Sequence, residues 1–322
     1  MNKNPYIGHS TQISGVEEHM LTKGKGKGMT LLQVRNGLGL NITLSADRAM
    51  DIARVTFKGD NIGYFSPSGY VAPGFYDNRG TGFLKSFTAG FLTTCGLTAV
   101  GSPCTDNGEE LPLHGTIANT PCENFSYEET ETEIVVKAQA RDAALFAHQL
   151  VLKREYTVSK TENTVLLCDR IQNIGSTKAP LEVLYHCNIG YPLLSENTVL
   201  EIPASATEPR NDHAREGLSD CFKMEKPVRG YEEMCYYHTL SEGKVSAYNP
   251  DIKKRVAISF DTAELPYFVE WKMMGEHDYV LGLEPGNCLP DGRDVMRRKG
   301  MLAFLEPEEE KQHHIAFCFT EE

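Results

Sequence analysis

From Met29 onward the chain is a succession of short runs rich in β-branched and aromatic residues, each closed by Gly, Pro, Asn or Asp. That rhythm limits the folds open to it, because strands of this length need edge-to-edge partners and turn residues at their ends. The clearest runs are Thr132 to Gln139 (TEIVVKAQ), Gln149 to Val158 (QLVLKREYTV), Thr164 to Ile171 (TVLLCDRI) and Pro180 to His186 (PLEVLYH). Arg255 to Phe260, Pro266 to Lys272, Tyr279 to Glu284 and His314 to Phe319 continue the series. No helix of ordinary length emerges. Asp142 to His148 (DAALFAH) has helix-forming residues but is too short to alter the class. The expectation is an all-β protein of antiparallel sheets packed as a sandwich.

No shift of composition demands a boundary and no repeat of fixed period is present, so residues 1–322 are expected to form one domain. The turn-rich stretches Ser66 to Gly82 and Leu194 to Gly217 read as loops, where ligands are often met. The formal net charge of −12 works against a nucleic-acid partner. The first residues lack an apolar run of signal-peptide length, and no stretch of about 18 apolar residues occurs, so neither a membrane partner nor export is expected and the location is read as cytoplasmic. Nine cysteines without a Cys-x-x-Cys pair read as reduced, mostly buried thiols. Lys23 to Gly28 (KGKGKG) lacks the order of a phosphate loop and precedes a strand, so it is read as a basic turn.

Three segments put a titratable side chain beside Gly, Pro or Asn at the end of an apolar run. They are Leu113 to Asn119 (LHGTIAN), Leu184 to Leu194 (LYHCNIGYPLL) and Leu281 to Arg293 (LGLEPGNCLPDGR). Glu284 is the most telling, since a carboxylate ending a buried strand needs a reason to be there. Each has a plainer reading. A lone histidine such as His114 or His186 is commonly a hydrogen-bonded structural residue, and Glu284 could form an ion pair with Arg293. His313 and His314 should alternate across the last strand.

Taken together, these segments resemble the galactose-mutarotase-like superfamily, in particular its aldose-1-epimerase-like branch built on a domain of unknown function (DUF4432-like). Ala46 to Ile52 (ADRAMDI), Ser66 to Gly69 (SPSG) and Ser86 to Leu97 (SFTAGFLTTCGL) carry the likeness in the same order, so it covers nearly the whole chain. The resemblance implies an antiparallel β-supersandwich with a sugar on its concave face. Matched motif by motif, it implies that His114 contacts the sugar, His186 is the general acid and Glu284 the general base, with Pro290-Asp291 falling where the pattern has them. His-Cys-Asn-Ile around His186 departs from the mutarotase form, and Thr116 stands where relatives carry arginine.

The implied activity is interconversion of the anomers, or epimers, of a monosaccharide or modified sugar by acid/base ring opening. The alternative is a non-catalytic carbohydrate-binding or sugar-sensing module. The chemistry asks for no cofactor and no metal, and the expected partner is a small-molecule sugar. The ordinary pKa values of the two side-chain types let an ionised Glu284 coexist with a protonated His186 slightly below neutrality. Arg48 and Lys85 are further candidates for the pocket, as forks onto hydroxyls or an anionic substituent. The plainer reading of Arg48 is an ion pair with Asp47 or Asp51. Trp271, the only tryptophan, belongs either against a sugar face or in the core.

Overall fold

The computed structural model describes residues 4–322. About 50% of the chain is strand and 8% helix, the latter being 3-10 turns and two short α-helices, Asp212–Glu216 and Arg293–Arg298. None of the described helices is long and apolar enough to cross a membrane. The expected runs are all strands, most of them longer than their apolar centres suggest, as in Glu133–Ala143, Ala179–Ile189 and Glu310–Glu321.

Three large sheets form the body. Gly15–Met20, Thr30–Arg35, Leu40–Ser45, Asp51–Phe57 and Asp60–Asn61 make a five-stranded meander. An eight-stranded sheet runs Cys122–Glu129, Glu133–Ala143, Gln149–Ser159, Thr164–Asn173, Glu310–Glu321, Lys254–Phe260, Lys244–Asn249 and Val199–Glu201. The third sheet runs Ala204–Pro209, Met234–Leu240, Tyr267–Met274, Tyr279–Gly286 and Ala179–Ile189, and both Leu92–Leu97 and Ala303–Leu305 pair with the last of these. The strands within each sheet pair antiparallel.

One stretch of helix-forming residues takes another form, and one expectation needs correction. Asp142 to His148 is not helical: Asp142 and Ala143 finish one strand, and Ala144 to His148 turn back into Gln149–Ser159. Register pairing along two eleven-residue strands outweighs the weak helix preference of a few residues. Leu194 to Gly217 is not simply loop, since it contains strands Val199–Glu201 and Ala204–Pro209 and the helix Asp212–Glu216.

The core lies where the sheets face one another. Leu32, Ile42 and Val55 from the meander meet Ile134, Leu152, Leu167 and Phe317 from the second sheet and Val183, Tyr185, Cys187, Ile189, Leu281 and Leu283 from the third. One buried polar network ties all three together. Arg154 donates to Asp169 Oδ1 and Oδ2 at 2.8 and 2.6 Å, to Asp51 Oδ1 at 2.7 Å, to Ala49 O at 3.0 Å and to Thr94 Oγ1 at 2.7 Å. Tyr185 Oη donates to Asp169 at 2.9 Å and lies 3.2 Å from His313 Nδ1. A buried guanidinium is tolerated because every nitrogen is engaged and two carboxylates oppose its charge. All nine cysteines are free, five of them buried.

Candidate active site

Alternation along two neighbouring strands creates the site. Val183, Tyr185, Cys187 and Ile189 of Ala179–Ile189 enter the core, which turns His186 and Asn188 to the other face. Leu281 and Leu283 of Tyr279–Gly286 do the same, exposing Gly282 and Glu284 to that face. The register pairs Cys187 with Leu283 and Asn188 with Gly282, which carries His186 opposite Glu284. On the far side of Gly282 stands Trp271.

His186 Nε2 lies 3.1 Å from Glu284 Oε1, and the residues are 5% and 2% exposed. The approach is close without being aligned as a hydrogen bond: Glu284 Oε1 and His186 Nδ1 are both buried atoms with no hydrogen-bond partner in the protein. Leaving such an atom unpaired costs about 1–3 kcal/mol, so each of the two is open to a partner brought by a ligand. Around the imidazole stand the rings of Trp271, Phe87 and His114, with centroids 5.3, 5.4 and 5.8 Å away. Gly282 makes room for the carboxyl, since a Cβ there would meet Glu284 Oε1 at 2.2 Å.

Burial reverses the expected protonation of the pair. It holds the His186 imidazole down to about 3, assisted by His114, and pushes Glu284 well above the usual carboxylate range, with Glu233 adding to the rise and Arg210 opposing it. Both shifts favour a neutral imidazole and a protonated carboxyl over an ionised Glu284 beside a protonated His186. The number of protons is unchanged, but in a dry setting the uncharged arrangement wins because neither group has solvent to support its charge.

His114 sits on the turn joining Leu113 to Gly115 with φ of 59°. Its backbone N–H donates to Gly101 O at 3.0 Å, and its Nδ1 accepts from the Gly101 N–H at 3.4 Å. A backbone N–H can only donate, so the ring proton of the neutral imidazole belongs on Nε2. Burial, with the charge of Arg210, brings this ring to about 4, leaving His114 a neutral hydrogen-bond donor at physiological pH.

Arg48 and Lys85 separate from one another. Arg48 is 2% exposed and donates through Nη1 to Ser86 O and Asn119 Oδ1, both at 3.0 Å, while its Nη2 has no partner. Burial lowers it to about 10, so it keeps its charge near neutrality. It pairs with neither Asp47, which accepts from the Thr30 N–H, nor Asp51, which is held by Arg154. Lys85 is at the surface, its side chain 71% exposed and 3.0 Å from Asp77. The ion pair considered between Glu284 and Arg293 does not form, because Arg293 is taken by Asp106 at 2.7 Å and by Glu109.

The rim holds one charged group, Arg210, that the sequence does not mark, beside Asp291 and Trp271, which it does. Arg210 donates through Nη2 to Ser102 Oγ at 2.8 Å and Pro290 O at 3.1 Å, and its Nε lies 3.5 Å from Asp291. Asp291 accepts from Tyr237 Oη at 2.5 Å and Lys299 Nζ at 2.9 Å. Trp271 Nε1 donates to Glu233 Oε2 at 2.7 Å, and the half-buried ring packs against a small cluster that includes Cys235 and Val269 while its edge meets His186. Arg210 follows a strand hidden within the stretch read as loop; its backbone bond to Cys235 O, on the strand beside Trp271, and its side-chain bonds to Ser102 and Pro290 place it here. No local sequence signal marks it.

A family model described as "Domain of unknown function (DUF4432)" matches residues 26–318. The chain is similar to a Klebsiella pneumoniae protein of solved structure, provisionally named an aldose 1-epimerase, with 26% identity and a TM-score of 0.90 over 95% of this chain and 83% of that one. A galactose mutarotase-like protein from Clostridium acetobutylicum shares the fold at 13% identity and a TM-score of 0.72, covering 97% of this chain and 100% of that one. Galactose 1-epimerase from Lactobacillus acidophilus does so at 14% identity and a TM-score of 0.65, covering 96% and 99%. No curated protein sequence matches the chain.

Proposed function

The chain belongs to the DUF4432 family and has the galactose-mutarotase-like fold, and from that premise we propose that it is an aldose 1-epimerase-type isomerase acting on a monosaccharide or modified sugar, with His186 and Glu284 as its acid/base pair. The observation that supports this most is their 3.1 Å approach on one buried sheet face, each with an unpaired polar atom.

Ring opening removes the proton of the anomeric hydroxyl and delivers one to the ring oxygen. Both oxygens are bonded to the same carbon, so the acid and base must stand side by side, as these two do. A sugar in the site brings hydroxyls to the unpaired atoms of His186 and Glu284, supplying the polar surroundings that burial withholds. The ionic arrangement then becomes accessible: Glu284 takes the hydroxyl proton while the His186 imidazolium gives its proton to the ring oxygen. Rotation about one carbon–carbon bond presents the other carbonyl face, and reclosure with the two roles exchanged yields the opposite anomer. The pair ends with the proton it began with. Each transfer contributes on the order of 10² to 10⁴ in rate. The Nε2–H of His114 is available to a sugar oxygen, and the Trp271 indole to a sugar face.

Glu284→Gln keeps the shape and removes the base; His186→Asn removes the acid. Each should lower anomer exchange strongly while sugar affinity stays within about tenfold, roughly 1.4 kcal/mol. The double variant should be scarcely worse than either single one, since the two act as a unit. Magnetisation-exchange NMR on a sugar that binds the wild type reads this against uncatalysed mutarotation. Binding without exchange above that baseline would replace the enzyme with a sugar-binding module.

A further inference from the structure

Away from the sugar site, on the outer face of the eight-stranded sheet, three side chains from three parts of the chain line up. Cys168 of Thr164–Asn173 and His314 of Glu310–Glu321 are direct cross-strand partners. Cys168 Sγ lies 3.5 Å from His314 Nε2, and His314 Nδ1 lies 2.9 and 3.1 Å from the two carboxyl oxygens of Glu264. Glu264 also accepts the His314 backbone N–H at 2.8 Å. Its turn is fixed by the fully buried Leu265, whose N–H donates to Asp261 O at 2.9 Å.

We propose that Cys168 is a nucleophilic thiol that exchanges with small disulfides, with His314 as its base and Glu264 as the group that orients the base. An ionised carboxylate only accepts, so Nδ1 carries the ring proton and the Nε2 lone pair faces the sulfur. This is the order of nucleophile, base and orienting group that activates thiols generally. Among the described residues, no other cysteine has an imidazole nitrogen at hydrogen-bond distance from its sulfur. Cys95, Cys187, Cys221, Cys235 and Cys288 are buried, whereas Cys168 is partly open beside a half-exposed histidine.

The surroundings explain why a base is needed. Burial pushes the Cys168 thiol up from its ordinary value, Asp169, Glu155 and Glu264 push the same way, and only Arg170 opposes them. A free thiolate is therefore scarce, and the proton has to pass to His314 as the sulfur attacks. In the exchange, the Sγ–H proton moves to His314 Nε2 and Sγ bonds to one sulfur of the incoming disulfide. The S–S bond of that disulfide breaks, and the departing thiolate takes the proton from His314. Cys168 is oxidised to a mixed disulfide and the departing sulfur is reduced to a thiol.

The probe is bis(2-hydroxyethyl) disulfide, uncharged and so indifferent to the local carboxylates, with iodoacetamide as a second, irreversible reagent. The folded protein is treated with limiting reagent and the modified cysteine is identified by peptide mass spectrometry. Cys168 should be modified first, at least tenfold faster than Cys104, Cys122 or Cys318. H314Q should slow it at least tenfold, E264Q should fall between, and C168S should leave only the slow background. Modification of another partly open cysteine at an equal rate would overturn the proposal. So would an unchanged rate in H314Q, whose exposed position leaves folding intact.

Discussion

Gly282→Ala tests whether the placement of the Glu284 carboxyl, rather than its mere presence, carries the proposed reaction. The new Cβ would stand 2.2 Å from Glu284 Oε1, 3.1 Å from its Cδ and 3.1 Å from Trp271 Cβ, where ordinary contact begins at 3.4 Å. Gly282 has no left-handed backbone angle, so alanine fits the strand and the strain falls on the neighbouring side chains. The carboxyl must give way by roughly 1 Å, since it ends a flexible side chain, and a misplacement of that size costs on the order of 10² in rate. Stability should suffer less than a packed-core insertion, whose cost is about 1–3 kcal/mol. Anomer exchange by NMR should thus fall about a hundredfold while the urea midpoint moves little, and Glu284→Gln sets the floor. Wild-type exchange in a folded Gly282→Ala protein would refute the reasoning, because the carboxyl could then act from a displaced position.

Three further outcomes follow from the structure. Because Trp271 is the only tryptophan and touches the His186 ring edge-on, sugar binding should change the intrinsic fluorescence, and Trp271→Phe should abolish the signal and weaken binding; a spectrum unmoved by a sugar that raises the melting temperature would place that sugar elsewhere. Arg154→Ala should remove about 3–5 kcal/mol in urea titration, since it strands Asp51 and Asp169 in the core, and a loss below about 1 kcal/mol would contradict the network's role. Glu182 is fully buried, accepts from the Val100 N–H at 3.0 Å, and is raised by burial to about 8. Its folded-state value exceeds its unfolded one, so its contribution is complete below about pH 4.5 and is lost as pH rises towards about 8, at up to roughly 1.4 kcal/mol per unit. Urea midpoints of Glu182→Gln across that window should lack this decline, and parallel curves for the two proteins would refute it.

Much of this molecule could be read along the chain because its signals are local. Runs such as Gln149 to Val158 alternate at the strand period, and Gly, Pro, Asn and Asp mark their ends, so class and antiparallel pairing follow from residues within ten positions of one another. The same local reading marks His114, His186 and Glu284 as titratable side chains at the edges of apolar runs, while the roles proposed for them come from the family resemblance. Arg210 was not, because what brings it to the rim is its pairing with Cys235 and its bonds to Ser102 and Pro290, all distant in sequence. Nor did local pattern separate Arg48, sealed under the Ser86 carbonyl, from Lys85, held at the surface by Asp77. The protonation of the His186–Glu284 pair belongs to the tertiary structure alone. Composition supplies the two groups and their ordinary affinities for a proton, but the rings of Phe87, His114 and Trp271 and the two strands beneath remove the water that would support a charge, and that loss moves the proton from the imidazole to the carboxyl.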